Sequence, residues 1–229
     1  MLAMPALALT VRGSIELVGS SNPMVRRHKD YSGVVVWLEP LGGASLAAGP
    51  FSGKPAQMSQ KNKMFIPHVL AIPVGGSVSF PNFDPIFHNA FSNFNGQTFD
   101  VGLYKPGSSR TVAFQREGIV RVFCNIHPQM SAVIVVLGTP YFAVTNKAGF
   151  YEIDGVPAGE YQLHLFHERA DPETLQSLER KVKVENSPVE LAALSISESG
   201  YLAVPHKNKF GKDYPPVIED QPAYSGAKR

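Results

Sequence analysis

The segment CNIHPQM, residues 124–130, contains three side chains that can bind a metal ion. Cys124 is the only cysteine of the chain, His127 follows three positions later, and Met130 lies three positions beyond. A lone cysteine is more often a small buried hydrophobe than a ligand. A thiolate with a thioether nearby favours copper, however, whereas an imidazole suits copper and zinc alike. This spacing therefore favours a metal-binding loop.

The flanking residues predict that this segment connects two strands. In GIVRVFC, Val120, Val122 and Cys124 alternate and share one face of a strand. Apolar residues resume at Ala132, so CNIHPQM is predicted to be a loop that presents its three donors from one short arc. What the loop lacks is a second imidazole.

His88, in FPNFDPIFHNAFS, supplies the second imidazole. It follows a predicted strand at Ser77–Pro81 and precedes Cys124 by 36 residues, so the two side chains must meet across strands. Two His, one Cys and one Met are the donor set of a blue-copper site, in which the Met is a weak axial ligand. Nearby phenylalanines form core first and also exclude water from the metal: Phe80, Phe83, Phe87 and Phe91.

Both segments fit a longer pattern, G-x-x-V-x-F-x-N-x-D-x-x-x-H-N followed by G-x-x-x-V-x-C-x-x-H-x-x-M. Over roughly residues 56–137 the chain resembles the cupredoxin family of plastocyanin, pseudoazurin and amicyanin, and its loop is most similar to that of amicyanin. The resemblance implies one type 1 copper per chain with four ligands: His88, Cys124, His127 and Met130. It also implies that Asn89 ties the two ligand loops together.

Four residues next to the ligands are expected to shape the site. Phe87 shields it, and Pro128 keeps the edge beside His127 apolar. Asn125 stands where relatives usually have Ser or Thr, so the partner of Asn89 is open. Ile126 stands where amicyanin has proline, so its backbone N–H is expected to donate a hydrogen bond to the Cys124 sulfur and to raise the reduction potential.

The resemblance and the donor set together predict an electron carrier rather than an enzyme. Four donors with no open position do not favour substrate chemistry, and His127, the ligand nearest the surface, is the expected exit for the electron. Redox proteins are the expected partners, docking briefly on an apolar patch near His127. Two alternatives stay open: a copper carrier, store or sensor without electron relay, and a structural or binding β-sandwich protein.

Composition excludes other classes of function. With 21 basic and 19 acidic residues the net charge is +2, so the chain has no excess charge for binding nucleic acid. No apolar run reaches the roughly 18 residues of a transmembrane helix.

The N-terminus MLAMPALALT contains an Ala6-Leu7-Ala8 segment. It is either an apolar lead-in to the first strand or the remnant of an export signal, and we favour an exported, periplasmic protein.

Period-2 alternation predicts an all-β fold with many turns. The predicted strands are Leu9–Leu17, Gly33–Leu38, Phe65–Ile72, Ser77–Pro81, Arg110–Phe114, Ile119–Cys124, Ala132–Leu137, Tyr141–Thr145, Phe150–Ile153, Glu160–His167, Lys181–Val184 and Val189–Ile196. A helical turn or two is expected over 171–178, with Asp171 as its cap.

Five histidines are not expected to bind the metal. His68 is expected to be hydrogen-bonded, His164 and His167 to face opposite ways, and His28 and His206 to be solvated.

The segment NKAGFYEIDGVPAGEYQLHLFHE, which begins at Asn146, resembles a carboxypeptidase regulatory-like, or transthyretin-like, β-sandwich. The opening strands of that family match Gly13-Ser14-Ile15 and Gly33–Leu38 instead of residues just before Tyr141. The predicted fold is therefore a Greek-key cupredoxin sandwich at 52–138, inserted into a second, smaller transthyretin-like sandwich formed by 9–48 with 139–197. The alternative is sequential, with modules at 9–138 and 139–197. Residues 198–229 are expected to form an extended or disordered tail lying on the body.

Overall fold

A computed structural model of the chain describes residues 9–42, 53–93 and 96–215. These residues form strands and only two short helices, so the prediction of an all-β fold is confirmed. The Ala6-Leu7-Ala8 segment, the predicted boundaries at residues 48 and 52, and the tail beyond residue 215 lie outside the described residues.

Up to residue 100 the described ranges contain nine strands. They are β1 (Leu9–Val18), β2 (Val35–Pro40), β3 (Ala56–Gln57), β4 (Ser59–Lys61), β5 (Met64–Ile66), β6 (Val69–Pro73), β7 (Ser77–Pro81), β8 (Phe91–Ser92) and β9 (Phe99–Asp100). Residues 101–215 contain nine more. They are β10 (Ser109–Ala113), β11 (Gly118–Phe123), β12 (Ser131–Leu137), β13 (Phe142–Val144), β14 (Phe150–Val156), β15 (Gly159–Phe166), β16 (Arg180–Val184), β17 (Val189–Glu190) and β18 (Leu194–Ser197).

Helix α1 (Pro23–His28) was not expected from the sequence, whereas α2 (Pro172–Ser177) lies where the helical turn was predicted. Both helices begin with a side-chain cap and a proline in the first turn, because proline needs no hydrogen bond there. The caps are Asn22, which accepts from the Met24 N–H, and Asp171, which accepts from the Thr174 N–H. Within the described ranges, no helix has the length and apolar character needed to cross a membrane.

Two predicted strands are each divided in two. The expected strand Phe65–Ile72 is interrupted at Pro67, which has no N–H to donate to a strand ladder. The expected strand Val189–Ile196 becomes β17 and β18, which both pair in parallel with β1.

The segment that contains the metal-binding residues folds as two larger sheets around one core, with the two-stranded sheet of β4 and β5 beside them. The larger sheets have the strand orders β10-β7-β3 and β6-β12-β11-β8-β9. The core between them includes Phe80, Phe114, Tyr104, Cys124 and Met130, all of them buried. Cys124 and Met130 thus belong to the same apolar core as Phe80. Of the four phenylalanines expected to form core, Phe80 and Phe91 are buried, whereas Phe83 and Phe87 are exposed, so the expectation was wrong for these two.

The first two strands pair with strands that follow the metal-binding segment in sequence. β1 lies between β14 and the parallel strands β17 and β18, and β2 lies between β13 and β15. The core of this half contains side chains from before and after the metal-binding segment, such as Val11, Val36, Ile153 and Leu163. This pairing supports the interrupted arrangement, which stays a prediction, as does the transthyretin-like character of this half.

The metal-binding segment and the unit built on β1 and β2, which we call the two halves of the protein, share an apolar interface. It is formed by strands that are buried on both faces. In β12, Ala132, Ile134 and Val136 face the metal-binding core, whereas Val133, Val135 and Leu137 face the other half. In β2, Val36 and Leu38 face their own core, and Val35 packs against β12. The uninterrupted run of apolar residues in β12 follows from this double burial.

The interrupted arrangement predicts that a fragment of residues 139–229 fails to fold, because it lacks β1 and β2. These two strands lie inside the two sheets, so their loss exposes the edges of β13, β14 and β15 and half of the core. Circular dichroism and urea titration measure this, with the full chain as control. A cooperative unfolding transition of the 139–229 fragment would instead support the sequential arrangement.

Candidate metal centre

Residues 124–130 form the loop of the β11–β12 hairpin. The strand register places Phe123 opposite Ser131, so the seven residues between them close the hairpin. The Cys124 N–H donates to the Met130 carbonyl at 3.1 Å, and the Met130 N–H donates to the His127 carbonyl at 3.0 Å. These bonds fold the loop back on itself, so its three candidate ligands come from a compact turn, as the sequence predicted.

His88 is held in place through Tyr104. The two residues exchange backbone hydrogen bonds, 3.2 Å from the His88 N–H to the Tyr104 carbonyl and 2.9 Å in the reverse direction. The buried Tyr104 hydroxyl lies 2.7 Å from Oε1 of Gln60 and 2.9 Å from the Phe80 carbonyl oxygen. Burial and the nearby Cys124 raise the pKa of Tyr104, so its hydroxyl stays protonated and continues to donate.

His88, Cys124 and His127 come together at the end of the core. Nδ1 of His88 lies 3.8 Å from the Cys124 Sγ, and Nδ1 of His127 lies 3.7 Å from it. A metal about 2.3 Å from sulfur and about 2.0–2.1 Å from nitrogen, with about 110–120° between the bonds, separates sulfur from nitrogen by about 3.5–3.8 Å. The two sulfur–nitrogen distances therefore fit one metal ion bound by all three side chains.

The three residues are the only His, Cys, Asp and Glu side chains in the described ranges that converge in this way. Met130, the fourth residue predicted from the sequence, is fully buried in the same core cluster as Cys124. His88 and Cys124 are also fully buried, whereas His127 is only half-buried. His127 is thus the one candidate ligand with a path to solvent.

The electrostatics of the site keep the His127 imidazole neutral. Burial lowers the pKa of His127 to about 4, and the neighbouring His88 and Lys63 add to this, while Asp84 acts in the opposite direction. A neutral imidazole has a free lone pair, so His127 can bind a metal at neutral pH without first releasing a proton.

Asp84 is a functional residue that the sequence analysis missed. Its Oδ2 lies 2.7 Å from Nε2 of the buried His88, so the imidazole donates there and keeps Nδ1 free toward Cys124. Burial opposes ionisation of Asp84, but the N–H groups of Lys63 and Asn62 and the His88 ring together lower its pKa. A carboxylate behind a histidine ligand fixes the tautomer and makes the ligand more basic. The available signal was an Asp four residues before His88.

The expected direct tie from Asn89 to the Cys124 loop is not formed. The Asn89 amide donates to Oδ1 of Asp100 at 2.7 Å and to the Gly102 carbonyl at 3.0 Å. Asn125, the residue after Cys124, instead accepts from the backbone N–H of Lys209 at 3.0 Å. Asn89 and Asn125 therefore bind to other parts of the chain and not to each other's loops. Asn125, which stands where relatives usually have Ser or Thr, uses its side chain to accept from Lys209.

The expected hydrogen bond from Ile126 to the Cys124 sulfur is also absent from the described residues. The contacts of Sγ within hydrogen-bond range are the two imidazole nitrogens. The Ile126 side chain is 42% exposed. The bond through which its N–H was expected to raise the potential is therefore not formed, and Ile126 contributes surface instead.

Four exposed apolar side chains lie next in sequence to residues of the site. Each directly precedes in sequence a residue of the centre or one that holds it: Phe83 before Asp84, Phe87 before His88, Leu103 before Tyr104 and Ile126 before His127. Pro128, on the other side of His127, is partly buried. We call the four exposed residues the apolar rim.

The other histidines lie outside the cluster. His68 contacts the Ser131 carbonyl oxygen and Glu168, and His167 is buried against Glu198. His206 was expected to be solvated, but its ring stacks on Phe123 with 4.1 Å between ring centroids. That expectation was wrong because charged neighbours in sequence do not show where an extended segment is bound.

No protein-family model and no curated protein matches the chain. A copper-containing nitrite reductase from Thermus scotoductus SA-01 is 25% identical over 43% of this chain, with a TM-score of 0.36, and this chain spans 25% of its length. A purple cupredoxin from Nitrosopumilus maritimus is 26% identical over 36% of this chain and 99% of its own, with a TM-score of 0.33. A reduced amicyanin variant is 18% identical over 44% and 98%, with a TM-score of 0.35. Each similarity covers less than half of this chain.

Asp84→Asn is expected to raise the reduction potential of the copper-loaded protein by about 60 mV, equivalent to about tenfold in the equilibrium constant. The variant removes a buried negative charge that favours the oxidised metal, while the amide can still accept from His88. Voltammetry measures the shift, and Asp154→Asn, at an exposed position of β14, is the control. An unchanged potential in Asp84→Asn would show that the carboxylate charge does not act on the metal.

Proposed function

We propose that this chain is a type 1 copper protein that passes single electrons between redox partners. Each chain would bind one copper ion through His88, Cys124, His127 and Met130. The observation that carries the proposal is the convergence of two imidazole nitrogens on the Cys124 sulfur at 3.8 and 3.7 Å. These distances match a single ion bound by all three groups.

The chemistry of the donors favours copper over zinc. Structural zinc sites use Cys, His and carboxylates, and Met130 offers only a thioether in the buried core. A thiolate, two imidazoles and a weak thioether are the set that suits copper in both of its common oxidation states. Copper would supply the one-electron couple. The protein supplies a fixed, largely dry set of ligands, with Asp84 orienting His88 and the core excluding water.

His127 is proposed as the exit for the electron, because it is the only half-buried residue among the four candidate ligands. The apolar rim of Phe83, Phe87, Leu103 and Ile126 gives a partner a small surface that is easily desolvated. Such a surface suits the brief encounters of electron-transfer proteins, which bury little area. We therefore propose that redox proteins dock on this rim.

We propose that the protein is not an enzyme and that it is exported. Four donors of these types would hold copper without a position for substrate, and this favours electron transfer over catalysis. The periplasmic location rests on the cupredoxin resemblance and on the apolar N-terminal sequence.

Cys124→Ser is expected to abolish an intense visible absorption band that appears when Cu(II) is added to the wild-type protein. The band arises from charge transfer between thiolate and copper, and serine has no sulfur to supply it. Absorption and EPR spectra measure this, with dialysis to count bound copper. Retention of the band in Cys124→Ser would refute the thiolate ligand. A wild-type protein that binds copper with the band but does not cycle reversibly in voltammetry would indicate a copper carrier, store or sensor.

Met130→Gln is expected to keep the copper and the visible band but to lower the reduction potential by about 60 mV or more, on the scale of a tenfold change in equilibrium constant. A harder axial oxygen favours Cu(II) over Cu(I). Met58→Gln is a matched control, because Met58 is equally buried in the same core cluster and its loss should reduce stability alone. Equal potentials for the two variants would mean that Met130 only packs.

A further inference from the structure

Residues 206–214, which we call the C-terminal strap, lie against the loop that carries Cys124. The His206 ring stacks on Phe123, the residue before Cys124, with 4.1 Å between centroids and 27° between planes. The Tyr214 hydroxyl donates to the Cys124 carbonyl at 2.7 Å. The Lys209 N–H donates to Oδ1 of Asn125 at 3.0 Å. The strap thus contacts three successive residues, 123 to 125.

The strap also reaches the loop that carries His88. The Lys209 ammonium donates to Oδ2 of Asp100 at 2.7 Å, and Oδ1 of the same carboxylate accepts from the Asn89 amide at 2.7 Å. A continuous series of hydrogen bonds therefore runs from Asn89, next to His88, through Asp100 and Lys209 to Asn125, next to Cys124. It connects the two loops that supply the candidate ligands, although the two asparagines do not touch.

We propose that Lys209 and Tyr214 are positioning residues of the metal centre, which the strap completes by fixing the Cys124 loop relative to the His88 loop. The proposal rests on the copper site proposed above. It assigns to the strap the tie that a direct bond between the two loops would otherwise provide.

The chemistry of the bridge suits this role. Burial opposes ionisation of Asp100, but the Lys209 ammonium, the Gly102 N–H and the Asn89 amide together lower the pKa of its carboxyl. Asp100 therefore stays charged and accepts on both oxygens. Burial, with a smaller contribution from Cys124, raises the pKa of Tyr214 to about 12, so its hydroxyl stays a donor at neutral pH. The side chain of Lys209 is 28% exposed, so solvent weakens this ion pair without removing it.

Positioning of this kind acts on metal affinity. A loop that already holds its donors at the right distance loses less conformational freedom when the ion binds. Replacing groups that orient metal ligands typically costs about 10–100-fold in affinity, and partial exposure places Lys209 at the lower end. A strap that merely covered the surface would change stability but not the affinity of a folded site.

The test compares Lys209→Ala with Lys207→Ala in the full chain. Lys207 lies in the same strap and pairs with Asp213 at 2.6 Å, so its variant loses a similar ion pair that touches neither ligand loop. Cu(II) is titrated against a competing chelator, and bound copper is followed by its visible band and EPR spectrum. We expect Lys209→Ala to bind copper about tenfold more weakly, and Lys207→Ala to match the wild type. Equal affinity of both variants and the wild type would overturn the proposal.

Three further variants separate positioning from general stability. Tyr214→Phe removes the hydroxyl that donates to the Cys124 carbonyl and lies 3.3 Å from Nδ1 of His206, and it is expected to weaken copper binding at a temperature at which circular dichroism shows the metal-free variant fully folded. Asp100→Asn and Lys209→Ala belong to one series of bonds, so their effects on copper affinity should be less than additive, whereas independent additive effects would contradict the bridge. In the metal-free Asn125→Ala variant, the Lys209 amide should exchange its hydrogen faster than in the wild type, and unchanged exchange would count against the contact. A wild-type chain that binds no copper would refute the metal site itself, whereas copper affinity indifferent to Lys209, Tyr214 and Asp100 would refute only the role of the strap.

Discussion

The double burial of β12 is the constraint on which the metal centre depends. Alternate side chains of this strand enter the core around Cys124 and the interface with the other half of the protein. The neighbouring strand β11 does alternate, with Val120 and Val122 buried and Arg121 exposed, so β11 fixes which of its faces meets the core, and β12 pairs with it so that Ala132, Ile134 and Val136 enter the same core. The register of this pair in turn determines where the hairpin loop begins and ends, and so which residues lie between Phe123 and Ser131. The three donors of the loop have defined positions because β11 and β12 are held in this register on either side of it.

Burial of the candidate ligands has a cost that hydrogen bonds elsewhere in the core offset. A buried imidazole needs partners for its nitrogen atoms. Asp84 serves one nitrogen of His88, and backbone groups of Asn62 and Lys63 serve that carboxylate. All of these hydrogen bonds lie on the side of His88 that faces away from Cys124. The polar network therefore leaves Nδ1 of His88 and the sulfur facing each other, the arrangement that a metal ion can use.

Sequence patterns predict the parts of the site that depend on local periodicity. Alternation in GIVRVFC places Cys124 at a strand end, and donor types with their spacing identify the loop. The same patterns do not predict contacts between distant segments: Lys209 meets Asn125 across 84 positions and Asp100 across 109. The tail has no periodicity to interpret, so the sequence predicted that it lies on the body but not which of its residues bind there; His206 was expected to be solvated and instead stacks on Phe123. The prediction for Ile126 was wrong for another reason: the absence of proline shows that an N–H is available, but not where the loop directs it.

The tail also gives the second half of the protein a physical connection to the metal centre. It begins directly after β18, which pairs in parallel with β1. Its first residue, Glu198, is buried, accepts from His167 and Arg169, and donates its N–H to the Val18 carbonyl. Burying a carboxylate is unfavourable unless it is paired in this way, so Glu198 strongly defines where the tail leaves the sandwich. From that fixed point the chain reaches Lys209 and Tyr214 in eleven and sixteen residues. The position of the strap over the Cys124 loop is therefore set from one end by the sandwich and from the other by its own contacts with the ligand loops.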